Sequence, residues 1–408
     1  MSNNELDNNK KLVKTMSNSE TRVCQNCGRK FVIEPEDFEF YKKINVPPPT
    51  FCPDCRLQRR MAFRNERNLY KRKCDFSGKN IISIYHPNSP YKVYDQKIWW
   101  SDKWDPMDYG RDYDFNRPFF EQFEELMREV PQISLIQVKC VNSDYCNYTE
   151  GNKDCYLVFG GDFNENVSYS TFSMYCQDSL DLYWTNKSEL CYENTDCANC
   201  SRVSFSKDCD NCSFSSFLLD CRNCHNCFGC VNLRNKSYCI FNKQYTKEEY
   251  FEKLKIIDSS SFNNLVKLKE EFKTFTNRFP RRATRMIHSH SCTGDNIRES
   301  KNCQFCFDVF KGTEDAKYIF IASGGLKDCY DCDHIGLNSE LSYESPTVYP
   351  GNRVLFSHAI FGCDNIYYSD NCYSSHHLFG CIGLRHKQYC ILNKQYTKEE
   401  YEKLVPKI

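Results

Sequence analysis

Nowhere does the chain carry a run of about 18 apolar residues, so nothing in it reads as a membrane-spanning helix. The opening MSNNELDNNKKLVKTMSNSE lacks the apolar core of a secretion signal, which places the expectation on a cytoplasmic protein with reduced thiols. Net charge is missing too: Lys plus Arg and Asp plus Glu are 54 each, so any electrostatic function has to come from local asymmetry. There is no phosphate-cradling glycine loop, no nucleophile elbow and no metal-hydrolase motif, which argues against an enzyme. Across most of the C-terminal two thirds no 3.6-residue periodicity appears, and helices are not expected there.

What the chain has in excess is cysteine, 28 residues, and aromatics, with 30 Phe and 27 Tyr. The aromatics argue against a disordered protein. Without a secretory context the cysteines are expected to be metal ligands or small apolar packing residues.

Repetition organises the rest. FGCVNLRNKSYCIFNKQYTKEEY at 228–250 returns as FGCIGLRHKQYCILNKQYTKEEY at 379–401, with 18 of 23 positions identical at an offset of 151. SELCYE at 188 is echoed by SELSYE at 339. Within a copy, DCANC, DCDNC and DCRNC start twelve residues apart, and Cys212, Cys221, Cys230 and Cys239 lie nine apart. The sum of the two spacings, 21, links Cys155, Cys176 and Cys197, then Leu218 and Cys239. A period near 20 with short polar turns predicts β-solenoids in which small cysteines fill interior ladders. Thr246 with Glu249, and Thr397 with Glu400, have capping-box spacing and predict a helix sealing each copy.

The expected layout is a disordered leader over 1–20 and a zinc-binding domain over 21–135. A β-solenoid over 140–250, a helical linker over 251–287 and a second β-solenoid over 288–408 follow. The first domain is expected to end in an amphipathic helix, NRPFFEQFEELMREVP, capped by Asn116. The linker helix is expected to offer Phe262, Leu265, Leu268 and Phe272. Trp99, Trp100 and Trp104 could stack bases, but such a cluster is more often core, and it is read as core against the amphipathic helix of the first domain.

Two Cys-x-x-Cys turns, Cys24/Cys27 and Cys52/Cys55, offer four thiolates for one closed, structural zinc site. The segment CQNCGRKFVIEPEDFEFYKKINVPPPTFCPDCRLQRR resembles the family described as a probable zinc-ribbon or treble-clef zinc-binding domain, over about 40 residues. That resemblance implies the same four ligands. Through its FRNER, WWSD, RPFF and FNKQY segments the whole chain also resembles uncharacterised proteins of uncultured small-genome bacteria. Some of those are Caib/baif-labelled, after CoA transferases, and nothing in these residues supports that chemistry.

Directly after the second cysteine pair come Arg56, Arg59, Arg60, Arg64, Arg67, Lys71, Arg72 and Lys73, opposed only by Glu66. Such a stripe suits a phosphate backbone. The other cysteine run, Cys221, Cys224, Cys227 and Cys230, has iron–sulfur-like spacing, but its counterpart keeps only Cys372 and Cys381, which favours the ladder reading. His288, His290, His376 and His377 show no ligand pattern. The leading expectation is therefore a non-enzymatic zinc-ribbon protein binding nucleic acid (RNA, DNA or a ribosome) through the basic helix. The alternative is a protein-interaction scaffold. Third stands a polysaccharide-active β-helix enzyme using the Asp residues of the Asp-Cys repeats.

Overall fold

The computed structural model describes residues 19–408, so the leader expected over 1–20 falls almost wholly outside them. The chain divides into two compact units, neither of them continuous. One comprises residues up to Arg64, Trp104–Pro131 and Ala283–Ile408, the other Asn65–Lys103 and Gln132–Arg282. Each unit holds one β-solenoid, and the stretch 21–135 is shared between the two.

In the first solenoid parallel strands stack in sequence order, pairing Glu165 with Gln177, Ser201 with Ser213 and Cys227 with Cys239. Each coil therefore takes twelve residues, not about 21. Inside it runs a three-residue beat. Every third residue, such as Asn199, Arg202, Phe205, Asp208 and Asn211, has φ between 52° and 58°. The residue after each of these points inward: Cys200, Val203, Ser206, Cys209 and Cys212 are all buried. Four such turns close one coil. This left-handed backbone costs most side chains energy but suits Asn and Asp, which explains the Asp-Cys and Asn-Cys pairs as turn chemistry. Spacings of nine and 21 are multiples of three that step from one interior column to another. Cys155, Cys176, Cys197, Leu218 and Cys239 are all buried, yet only Cys155 and Cys239 share a column.

The interior columns show why cysteine suits this fold. The thiol is small and apolar, and its weak S–H donor reaches the carbonyl two residues back, as from Cys209 to Lys207 at 3.3 Å. Buried serines do the same and also accept from the next coil: Ser170 donates to Ser168 O, and Leu182 N donates to Ser170 Oγ at 3.0 Å. Outside, asparagines form a ladder, Asn211 to Asn223 at 2.8 Å and Asn223 to Asn235 at 2.9 Å.

In the second solenoid several coils take thirteen residues, with Thr313 against Leu326 and Leu326 against Ser339. The extra residue makes a doublet of positive φ at Lys311–Gly312, Gly324–Gly325 and Leu337–Asn338, always at the same corner. Later coils return to twelve, Gly351 pairing with Cys363.

Among the described residues the α-helices are α1 (Pro35–Ile44), α2 (Pro53–Met61), α3 (Gln96–Trp99), α4 (Phe119–Glu129), α5 (Lys247–Ile256), α6 (Phe262–Thr276) and α7 (Lys398–Leu404). The nearly identical FNKQYTKEEY and LNKQYTKEEY segments terminate the coils. Each folds back as an antiparallel hairpin, Cys239 facing Gln244 and Cys390 facing Gln395. Asn242 and Asn393 then bond both backbone groups of Val231 and Ile382. The expected capping boxes start α5 and α7.

α6 lays Leu265, Leu268 and Phe272 on the first solenoid, while Phe262 is 79% exposed. α4 is not capped by Asn116: Pro118 takes that position and the Gln122 side chain bonds back to the Asp114 and Arg117 carbonyls. Phe119 packs on Tyr368 and Phe379 of the second solenoid, and Phe120 is exposed. Trp99 and Trp104 are buried, but Trp100 is partly exposed. Among the described residues no helix is long and apolar enough to cross a membrane.

Candidate metal centre and its docked helix

The metal-ligand geometry starts from a short hairpin. In β1 (Glu20–Val23) and β2 (Lys30–Ile33), Val23 pairs with Lys30, and Phe31 and Ile33 alternate inward. Between them Gly28 N donates to Cys24 O at 2.9 Å, and Gly28 takes φ 73°, which brings Cys24 and Cys27 to one side of the turn. Cys52 is the N-cap of α2, Pro53 opens the helix without needing an N–H partner, and Cys55 lies in its first turn.

The four Sγ atoms all lie within 4.8 Å of one another, with Cys27 and Cys52 at 3.7 Å. A tetrahedral ion with metal–sulfur bonds of about 2.3 Å needs sulfur–sulfur edges of about 3.8 Å. The residues therefore fit a metal ion held by four cysteines. Donors surround the sulfurs: Cys52 N reaches Cys24 at 3.2 Å, Asn26 Nδ2 reaches Cys55 at 3.4 Å, and Arg29 Nε reaches Cys27 at 3.5 Å.

Burial pushes the Cys24 thiol up, but backbone N–H groups of Cys27, Cys52 and Asn26 outweigh it and bring it down to about 6. Arg29 lowers Cys27, whereas burial lifts Cys52 to about 12. Four thiolates held this close repel one another unless a cation sits among them. Within the first solenoid, burial lifts the Cys176 thiol to about 11 and, with neighbouring thiols, Cys191 to about 12. None of the 28 cysteines is in a disulfide.

Among the described residues, Cys24, Cys27, Cys52 and Cys55 form the group of three or more potential ligands close enough to share an ion. Cys221, Cys224, Cys227 and Cys230 do not. Their Cys-x-x-Cys spacing is the three-residue beat itself, and it sends successive thiols to successive sides of the coil. His376 pairs with Asp364, and His377 stacks on Tyr389.

The basic helix is not a free surface. Arg56 and Arg60 have side chains only 2% and 3% exposed. Arg56 meets Asp331 at 3.0 Å, and Arg60 meets Asp331 at 3.1 Å and Asp333 at 2.5 Å. Arg59, 47% exposed, reaches Glu344 at 2.7 Å. Three guanidinium groups thus face three carboxylates. Arg64 bonds Thr347, and Lys317 closes a further buried pair with Asp37 of α1 at 2.7 Å. Phe40 stacks on Tyr330 at 3.9 Å between ring centres. Burial raises the Asp333 and Glu344 carboxyls above their ordinary values, against the pull of the arginines.

Of the remaining stripe, Arg67 bonds Thr171, and Arg72 pairs with Asp75. Lys71 and Lys73 are exposed on the strand Tyr70–Lys73. Asp331, Asp333 and Glu344 escaped notice in the sequence. A signal existed in the echo SELCYE/SELSYE, whose last residues are Glu193 and Glu344. Both pair with a cation from a helix: Glu193 takes Lys269 of α6 at 2.5 Å, and Glu344 takes Arg59 of α2.

Fold and site together define a β-solenoid protein with a four-cysteine knuckle docked on one solenoid. No family model and no curated protein matches the chain. Among solved structures it is similar to one described as a "putative acetyltransferase from Desulfovibrio desulfuricans G20", at 10% identity over 58% of this chain. The match spans 62% of that protein's length with a TM-score of 0.12, too low to carry an argument about fold or activity.

Proposed function

We propose that the chain is a non-enzymatic interaction scaffold. One structural zinc ion stabilises the knuckle, the knuckle buttresses the second solenoid, and uncovered solenoid faces bind a protein partner. The observation that supports this reading is the closure of α2 on Asp331, Asp333 and Glu344, which commits Arg56 and Arg60 to internal contacts. Zinc suits four thiolates in a closed tetrahedron, and such a site leaves no position for a substrate. The uncovered face includes Tyr145, Tyr156 and Tyr169 of the first solenoid, in edge-to-face contact at 5.4 and 5.5 Å and between 37% and 55% exposed.

Metal analysis of purified protein is expected to give one zinc per chain, and none after Cys52→Ser. A photo-crosslinking residue at Tyr169 is expected to yield protein adducts in the producing cells, and nucleic-acid adducts would count against the scaffold.

A second reading keeps nucleic acid, RNA or DNA, as the partner. It rests on the exposed Lys71, Lys73 and Lys79 of one hairpin, whose turn also exposes Phe76 at 47%, and on the exposed Arg67. About three phosphate contacts would give a log–log salt slope of roughly −2.7 on duplex DNA. Salt-sensitive binding of that slope, lost in K71E/K73E, would replace the scaffold reading. No salt-sensitive binding to structured RNA or duplex DNA at low salt supports it.

A further inference from the structure

The hairpin of β3 (Tyr70–Lys73) and β4 (Asn80–Ser83) repeats the geometry of β1–β2 at an offset of 50 residues. Val23 pairs with Lys30 and Lys73 with Asn80, while Glu20 pairs with Ile33 and Tyr70 with Ser83. The turn is repeated bond for bond. Cys24 N to Arg29 O (2.9 Å) becomes Cys74 N to Lys79 O (2.8 Å), and Gly28 N to Cys24 O (2.9 Å) becomes Gly78 N to Cys74 O (2.8 Å). The two glycines have φ 73° and 69°.

The second half of the knuckle returns as well, at an offset of 43. Gln25 N to Thr50 O (3.1 Å) is matched by Asp75 N to Val93 O (2.9 Å). Cys52 N to Cys24 Sγ (3.2 Å) is matched by Asp95 N to Cys74 Sγ (3.3 Å). Cys52 caps α2 and Asp95 caps α3. Arg56 N bonds Cys52 O as Trp99 N bonds Asp95 O, and both Arg56 and Trp99 are buried.

We propose that residues 70–99 are a second knuckle of the same build, one that holds its shape without a metal. The four ligand positions Cys24, Cys27, Cys52 and Cys55 fall on Cys74, Ser77, Asp95 and Ile98. One thiol survives and one position is aliphatic, so the set cannot surround a thiophilic cation. Hydrogen bonds take over the ion's work. Asp75 Oδ2 accepts from Val93 N at 2.7 Å and from Arg72 at 2.9 Å, Asp95 Oδ1 accepts from Lys97 N at 2.9 Å, and Ile81 and Val93 pack with Cys74. One knuckle of the chain is thus metal-dependent and the other is not.

The test restores the missing ligands in the full-length chain, using S77C/D95C/I98C and Co2+ as the probe. Thiolate-to-cobalt absorption is expected to saturate at two equivalents per chain, against one for the parent. Saturation at one equivalent in a variant with the parent's circular dichroism overturns the proposal. Hydrogen exchange on the unsubstituted protein tests it independently, and decides it if the variant does not fold. After chelation, residues 20–33 are expected to lose amide protection while 70–83 keep it. Equal behaviour of the two hairpins, either way, overturns the proposal.

Discussion

Arg60→Met is the sharpest perturbation of the docked helix. In the folded chain, Arg56, Arg59 and Arg60 balance Asp331, Asp333 and Glu344, and the Arg60 side chain is 3% exposed. Removing Arg60 leaves Asp333 without its 2.5 Å partner and one buried negative charge in excess. Breaking one side of such a buried pair costs about 3–5 kcal/mol, because the survivor keeps its desolvation penalty. That is roughly a 10²- to 10⁴-fold shift in the opening equilibrium. Arg59→Met is the milder comparison: Arg59 is 47% exposed, and its buried partner Glu344 keeps Arg56 at 3.7 Å and Arg60 at 3.9 Å, so the loss should be about 1–2 kcal/mol. Urea unfolding of the full chain gives the totals, and hydrogen exchange over residues 53–61 shows whether the loss sits in α2. R60M/D333N removes both charges and should recover at least half of the deficit. Equal costs for R60M and R59M, or no recovery in the double variant, would refute the claim that this network holds the helix.

The solenoid interior should accept Cys212→Val for less than about 1.5 kcal/mol, while Cys209→Leu, which overfills a coil, should cost about 1–3 kcal/mol by denaturant midpoint. Asn223→Val breaks two rungs of the asparagine ladder and puts a β-branched residue at φ 52°, so a loss of about 2–4 kcal/mol is expected, with Asn223→Gly milder. Burial lifts the Asp162 carboxyl to about 6, although Glu150 N donates to it at 2.8 Å. A raised acid favours the fold below its unfolded value near 3.8 and loses that benefit as pH climbs through about 6. Asp162→Asn should therefore stabilise by about 1–2 kcal/mol at pH 7.5, discounted for partial exposure, and by nothing at pH 3.5 in thermal melts.

The four-cysteine cluster was legible because such a knuckle is local: two turns and one helix start bring the thiols together. The solenoid was legible as a class, since Asp-Cys spacing betrays repeated turns. Its coil length was not, because nine, twelve and 21 are all multiples of the same three-residue beat. The fate of the arginines was hidden for a different reason. Asp331 and Asp333 sit in DCYDCD, which resembles every other turn of the chain, and they lie more than 270 residues from Arg60. The second hairpin escaped because only one of its four ligand positions is still cysteine.

The thirteen-residue coils bear on how such a chain can change length. An extra residue at one corner would slide every later inward side chain out of its column, unless the neighbouring layers carry the same addition. Lys311–Gly312, Gly324–Gly325 and Leu337–Asn338 are such a matched set, three layers deep. Insertions and deletions in this gene should therefore survive in whole coils or in vertically matched groups. Deleting Gly325 alone should do more damage than deleting an entire coil, as in a brick wall that loses a course more safely than half a brick.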